Sequence, residues 1–180
     1  MGDTLFRLAV LATLAIFCTL AVALLAVPDK VWETIAGDPD LGPVVFQTLE
    51  KTEKPNQFLV CPPDYCQRAS IDMEAPVFPV PAKDLKAAVD KAAMEKKNVT
   101  RVFEGPLELR YLFRSPAFRF PDTVSIEFID VNGGSTLAIY ARAQLGYADF
   151  GVNEKRVKKW LEKIQAQFSR DAAPAEQADG

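Results

Sequence analysis

Apolar positions recur along this chain in different periods, and the changes of period mark its elements. From Leu8 to Val27 the chain carries no charge for 20 residues. A helix of that length, rising about 1.5 Å per residue, spans roughly 30 Å, the thickness of a bilayer core. The pattern predicts a transmembrane anchor over residues 1–27. A cleaved signal peptide is the alternative, because Ala21-Val22-Ala23 fits the small-x-small cleavage pattern. Residues 28–57 then lose all periodicity. Pro28, Gly37, Pro39, Gly42, Pro43 and Pro55 interrupt them, which predicts a membrane-proximal linker. Within it a short helix is expected through Val31 to Ile35, and Phe46 and Leu49 are available to pack on a domain.

Alternation and helical spacing return over residues 58–169. Phe58 to Val60 reads as a brief extended piece. Val77-Phe78, bracketed by Pro76 and Pro79, reads as a short edge strand, where proline is tolerated. Leu85, Ala88, Val89 and Ala92 recur at helical spacing and predict a helix over 82–97. A strand is expected over 99–104. Leu107, Leu109, Tyr111 and Phe113 alternate with more polar neighbours in the clearest strand pattern of the chain. Val124, Ile126 and Phe128 repeat the alternation, and Asn132-Gly133-Gly134 predicts a tight hairpin turn. The return strand, 135–144, places Leu137, Ile139, Ala141 and Ala143 on one face and Thr136, Tyr140, Arg142 and Gln144 on the other. Val157, Trp160, Leu161, Ile164 and Phe168 make the apolar stripe of a second helix, with Asn153 as its expected N-cap. Residues 170–180, rich in Ala, Asp, Glu and Gln, are expected to be disordered.

The fold class expected is α+β: an antiparallel sheet of about four to five strands with two helices packed on one face, preceded by the transmembrane helix. It resembles helix-grip or TATA-binding-protein-like topologies, a likeness of fold that carries no function with it.

Charge and composition then narrow the chemistry. The net charge is −3, which argues against nucleic acid as a partner. The chain has no histidine, which excludes Ser-His-Asp and Cys-His catalysis and histidine metal sites. Cys61 and Cys66 flank Pro62-Pro63-Asp64-Tyr65. In an oxidising compartment they would close a short disulfide loop, with free thiols as the alternative. Arg7 is the only basic residue ahead of the apolar run, which places the N-terminus in the cytoplasm and the domain outside. The expected location is therefore a bacterial cytoplasmic (inner) membrane, single-pass, with the domain on the periplasmic side. The pattern points to no metal and no cofactor.

The polar residues concentrate in a few places. Gly146-x-x-Asp149-x-Gly151-x-Asn153-x-x-Arg156 opens the second helix. Arg119-Phe120-Pro121-Asp122 precedes a strand, and Pro55-Asn56 precedes Cys61-Pro62. With these pieces the chain resembles the domain of unknown function family 1499 over residues 37–168. The resemblance implies a compact, envelope-associated domain and no established reaction. The family reads like Ser-Arg-Ser-Arg ahead of the first glycine, whereas Ala141-Arg142-Ala143-Gln144 stands here.

Arg142, Asp149, Asn153 and Arg156 could converge at the N-terminus of the second helix, where free N–H groups favour an anion such as a phosphate or lipid headgroup. Arg119 and Asp122 could complete that site. The structural alternative has Asn153 capping the helix, Asp149 pairing with Arg142 or Arg156, Pro121-Asp122 in a turn, and Arg119 pairing with a surface acid. Arg110, Arg114, Tyr140 and Arg142 are expected to share the sheet face away from the helices, as a basic platform or a solvated face.

The leading functional expectation is a membrane-anchored periplasmic accessory or binding module without catalytic residues. Its partners would be the membrane through residues 8–27 and a membrane protein complex or lipid. The alternatives are a carrier or sensor of a lipid or other apolar ligand, in a pocket lined by Tyr111, Phe113, Phe128 and Trp160, and a carboxylate-based hydrolase using Asp122, Asp149 or Glu127.

Overall fold

The computed structural model describes residues 2–25 and 29–171. Helix α1, Gly2–Leu25, contains the window Asp3–Val22 with a mean hydropathy of 2.3, long and apolar enough to cross a membrane. None of that window is buried against protein. Helix α2 follows at Asp29–Ala36. A single 3-10 turn spans Phe46–Thr48. Strands β1, Gln57–Cys61, and β2, Met73–Glu74, lead into helix α3, Ala82–Met94. Strands β3, Val99–Glu104, β4, Glu108–Arg114, β5, Pro121–Val131, and β6, Gly134–Ala143, form a meander, and helix α4, Val152–Asp171, closes the chain. Arg170 and Asp171, expected in the tail, still belong to α4. The remainder of that segment, 172–180, lies outside the described residues.

The six strands form one sheet in the order β2-β1-β6-β5-β4-β3. The four-strand meander matches the expectation. The sheet is larger and mixed because β1 adds to the free edge of β6 and the two-residue β2 pairs parallel to β1. A two-residue strand has too few side chains to show a period. Val77-Phe78 is not a strand: Phe78 makes one bridge to Ser135, exchanging N–H···O bonds of 2.7 and 2.9 Å. That close approach requires glycine next door. A Cβ on Gly134 would lie 2.0 Å from the Phe78 carbonyl oxygen.

Alternation decides the two faces. Leu109, Tyr111 and Phe113 on β4, Val124, Ile126 and Phe128 on β5, and Leu137, Ile139 and Ala141 on β6 point to the helices. There they join Leu85 and Val89 of α3 and Val157, Trp160, Leu161 and Ile164 of α4 in the main core. The two helices thus cover one face, as expected. Asp130, at the far end of β5, accepts the first free N–H of α3, at Ala82, over 2.8 Å. This replaces a cap from the helix's own flank, where Pro81 offers no side-chain donor or acceptor.

The other face carries a second apolar cluster: Leu59, Cys61, Cys66, Ala138 and Tyr140 packed with Phe46 and Leu49. The segment expected to be a linker therefore lies on the sheet. Its residues are fixed by polar contacts that no apolar period announces. The Thr123 hydroxyl donates to the Pro39 carbonyl and accepts from the Leu41 N–H, and Gln144 donates to the carbonyls of Ala36 and Asp38.

Candidate functional site

The three polar sequence pieces meet at one end of the sheet. Asp122 is the second residue of β5, and alternation turns it toward the helices. From there its carboxylate accepts from Arg156 Nη2 over 2.6 Å. Arg156 opens the second turn of α4, where its other Nη donates to Asn153 Oδ1. Its guanidinium lies 4.7 Å from the centre of the Phe113 ring. Asn153 is fully buried and donates to the Asn56 carbonyl over 3.5 Å. The Asn56 amide in turn donates to the carbonyls of Ala143, 3.3 Å, and Gly146, 2.9 Å. Asn56, Asp122, Asn153 and Arg156 thus tie the entry to β1, the entry to β5, the exit of β6 and the start of α4 into one knot.

Asp149 completes the helix start. Its carboxylate accepts from the Gly151 N–H, 3.0 Å, and the Asn153 N–H, 2.8 Å. These are orphan donors of a helix N-terminus, and a carboxylate there also meets the positive end of the helix dipole. Asp149 is therefore the cap. Asn153 is not, since it lies inside the helix with its side chain in the knot. Asp149 pairs with neither Arg142 nor Arg156. Gly146 and Gly151 both take positive φ, 87° and 74°, which supplies the turn.

Asp122 is held between opposing effects. Burial raises its carboxyl above the usual 3.8, and Asp149 adds repulsion, while the charge and hydrogen bond of Arg156 oppose both. Asp122 is not the turn residue expected, because Pro121 already belongs to β5.

Arg142 is not part of this site. It lies on the opposite face of the sheet, as the alternation of β6 requires. There it stacks 5.2 Å from the Tyr140 ring and donates from Nη2 to the Gly42 carbonyl over 3.0 Å. Its Nε is buried with no acceptor. The basic platform expected on this face is covered. Arg110 makes a two-pronged pair with Asp40 at 2.8 to 3.0 Å, and Arg114 pairs with Asp29 and Glu33 at 3.1 Å. Arg119 also leaves the site. It takes a positive φ of 59° and grips Asp29 through Nε and Nη2 at 2.9 and 2.8 Å. The arginine's hydrogen bond holds the Asp29 carboxyl below the usual carboxylate range.

Of the three carboxylates considered for hydrolysis, Asp122 and Asp149 are near enough to repel each other, and Glu127 stands apart from both. Glu127 points to the face opposite Asp122 and accepts from the Tyr65 hydroxyl over 2.7 Å. Burial, with that bond, pushes the Tyr65 hydroxyl far up. Nor do Tyr111, Phe113, Phe128 and Trp160 line a space. All are buried, and the Trp160 ring meets Tyr111 and Phe113 edge to face at 5.8 and 5.7 Å. The apolar-ligand reading loses the pocket it needed.

Two groups carry no signal in the sequence. Asn56 is visible there only as part of a motif, with no sign of its several partners. Exposed aromatics rim the same end of the sheet: Phe118 and Phe120 in the β4–β5 loop, and Tyr147 and Phe150 in the β6–α4 loop. No period marks such residues, since each stands in a turn. Among the described residues no group of acids and cysteines is placed to hold a metal ion.

A family model described as "Protein of unknown function (DUF1499)" matches residues 43–164, a span that contains all three motif pieces. No curated protein matches the chain. Among solved structures, the crystal structure of protein MLL2253 from Mesorhizobium loti is similar, with 14% identity and a TM-score of 0.44 over 53% of this chain and 94% of that one.

Proposed function

The chain belongs to the DUF1499 family of proteins of unknown function, and we propose that it acts as a membrane-anchored accessory module that binds a partner membrane protein and performs no chemistry. The observation that carries this reading is the knot. The side chains best suited to reaction or anion capture are all used on one another: Asp122 on Arg156, Arg156 also on Asn153, and Asp149 on the helix N-terminus. Asp149 also borders an open cleft, beside Pro55, Gln57 and Glu154, but both of its oxygens are taken there by backbone N–H groups. An unburied apolar helix at the N-terminus supports the anchor. The Cys61–Cys66 bond supports placement on the exported, oxidising side of the cytoplasmic membrane.

The test is purification of the tagged full-length chain from detergent-solubilised membranes. A stoichiometric partner is expected, and it should stay with folded Asp122→Asn and Asp149→Asn variants. Recovery of the wild type as a lone monomer would overturn the binding reading. Hydrolytic activity lost in either folded variant would overturn the non-catalytic one.

A further inference from the structure

Helix α2 departs from an ordinary surface helix, which buries its apolar stripe: its acids and its apolar residues are both left partly exposed. Its acids, Asp29 and Glu33, one turn apart, face the protein and are held by Arg114 and Arg119. Its apolar residues Val31 and Ile35, also one turn apart, are 39% and 68% exposed, and no residue of the helix is buried. Trp32 lies between these faces. Its indole N–H donates to the Phe118 carbonyl over 2.7 Å, and its ring meets Phe120 edge to face. Phe118 and Phe120 stack on each other and stay partly exposed.

The strand register brings more aromatic surface to this end. Arg114 pairs with Pro121, Asp122 with Ala143, and Gln57 with Arg142. The β4–β5 loop and the β6–α4 loop therefore leave the sheet side by side. The second loop holds Tyr147 at 71% and Phe150 at 91% exposure. Phe150 takes a positive φ of 53°, a conformation that strains a bulky residue, with no burial in return.

We propose that this aromatic end of the domain lies on the membrane surface as a second point of attachment. It would be formed by the outer stripe of α2, Phe118, Phe120, Tyr147 and Phe150. The inference rests on α1 being the membrane anchor. Given that, the occupant is set by chain length. Asp29 follows Leu25 by four residues, so α2 starts within about 14 Å of the end of α1. That is the reach of the headgroup layer and its immediate surroundings. Tryptophan, tyrosine and phenylalanine beside aliphatic residues suit this layer, where an apolar body and a polar tip can both be satisfied. The opposite end of the sheet, the hairpin at Asn132-Gly133, stands one strand length away, on the order of 30 Å.

The experiment uses the full-length chain in nanodiscs of plain or acyl-brominated phosphatidylcholine, with two reporters in a W32F background. Phe150→Trp probes the aromatic end, and Asn132→Trp probes the far hairpin; both positions are exposed, so neither change disturbs the core. Brominated lipid should remove about half the added emission of the W32F/F150W chain, as expected for a ring at the headgroup–acyl boundary, and leave the W32F/N132W chain unchanged. Equal emission in both lipids for W32F/F150W, in a chain that resists carbonate extraction, would overturn the docking and leave the anchor standing. Release of the chain by carbonate would overturn the anchor and the docking together. Wild type compared with W32F reads the quenching at Trp32 itself, with the sequence of both loops unchanged.

Discussion

Replacing Arg156 by methionine should be among the most damaging single changes on this domain, and the damage should depend on pH. The side chains of Arg156 and Asp122 are 11% and 9% exposed. Methionine keeps the contact with Phe113 but strands the Asp122 carboxylate. Removing one partner of a buried pair costs about 3–5 kcal/mol. The sign of the pH effect follows from the carboxyl. In the wild type burial already raises its pKa above 3.8, against the pull of Arg156. Without that pull it rises further, so the folded state binds the proton more tightly than the unfolded chain. The penalty is then full above the folded pKa and fades as pH falls through it. A cost of about 3 kcal/mol corresponds to roughly two pH units of further upward shift. Asp122→Asn should be milder than Arg156→Met, because Arg156 keeps Asn153 and the Phe113 ring. Combining Asp122→Leu with Arg156→Met should recover most of the loss, since no buried charge remains. The assay is urea unfolding of the detergent-solubilised chain in a W32F background, followed by the emission of Trp160, from pH 4.5 to pH 8. A loss below about 1 kcal/mol for Arg156→Met, equal at all pH values, is the signature of a solvated pair. That result would refute the structural role of the knot and leave Arg156 free to hold an anion.

Two other expectations concern the outer face. Replacing Cys61 and Cys66 by alanine should cost about 2 kcal/mol from the entropy of the short loop they close, and should free Tyr65 from Glu127. The urea midpoint should fall equally for the variant and for wild type treated with reductant, and an unchanged midpoint in both would refute it. The Asp29 carboxyl is held below its usual 3.8, so its contribution to holding α2 is present above that value and is lost as pH falls through the lower folded pKa. In lipid-free detergent, acidification below about pH 3.8 should release α2 and shift the Trp32 emission to the red, measured as wild type minus W32F; a signal flat to pH 2 would count against the pairing.

What was legible followed from side-chain period. The alternation of β4, β5 and β6 assigned each residue to its face, including Arg110, Arg114, Tyr140 and Arg142 to the face away from the helices. That same alternation separates Arg142 from Arg156, so the convergence expected of the two arginines does not occur, on a rule already visible in β6. The capping error has a different cause. Asp149 and Asn153 are both good capping residues, and only the path of the Gly146–Gly151 turn decides which one reaches the free N–H groups. The segment 29–49 was legible only in part, for a third reason. Its short helix and the packing of Phe46 and Leu49 follow from apolar residues, but the path between them is held by the carbonyls of Ala36, Asp38, Pro39 and Gly42 and by the Asp40–Arg110 pair, which no period marks.

The Arg119-Phe120-Pro121-Asp122 piece links the knot to helix α2, and the geometry of a strand entry explains how. Asp122, inside β5, turns toward the helices and holds Arg156. Three residues earlier, Arg119 lies in the loop with positive φ, so its side chain goes to the other face and holds Asp29. Phe120, between them, meets Trp32. One short segment therefore touches the start of α4 on one side and α2 on the other. A shift of α2 would be felt first at Arg119 and Phe120, and only through Pro121 at the buried Asp122. Because Asp122 is fixed within an eleven-residue strand paired on both sides, it resists that shift. The physical consequence is a helix held in place on the domain: α2 is clamped by three ion pairs to Arg114 and Arg119, and only residues 26–28 separate it from α1. A long free tether would let the aromatic end face any direction. A tether this short, joined to a clamped helix, keeps that end near the end of α1, as the proposed docking requires.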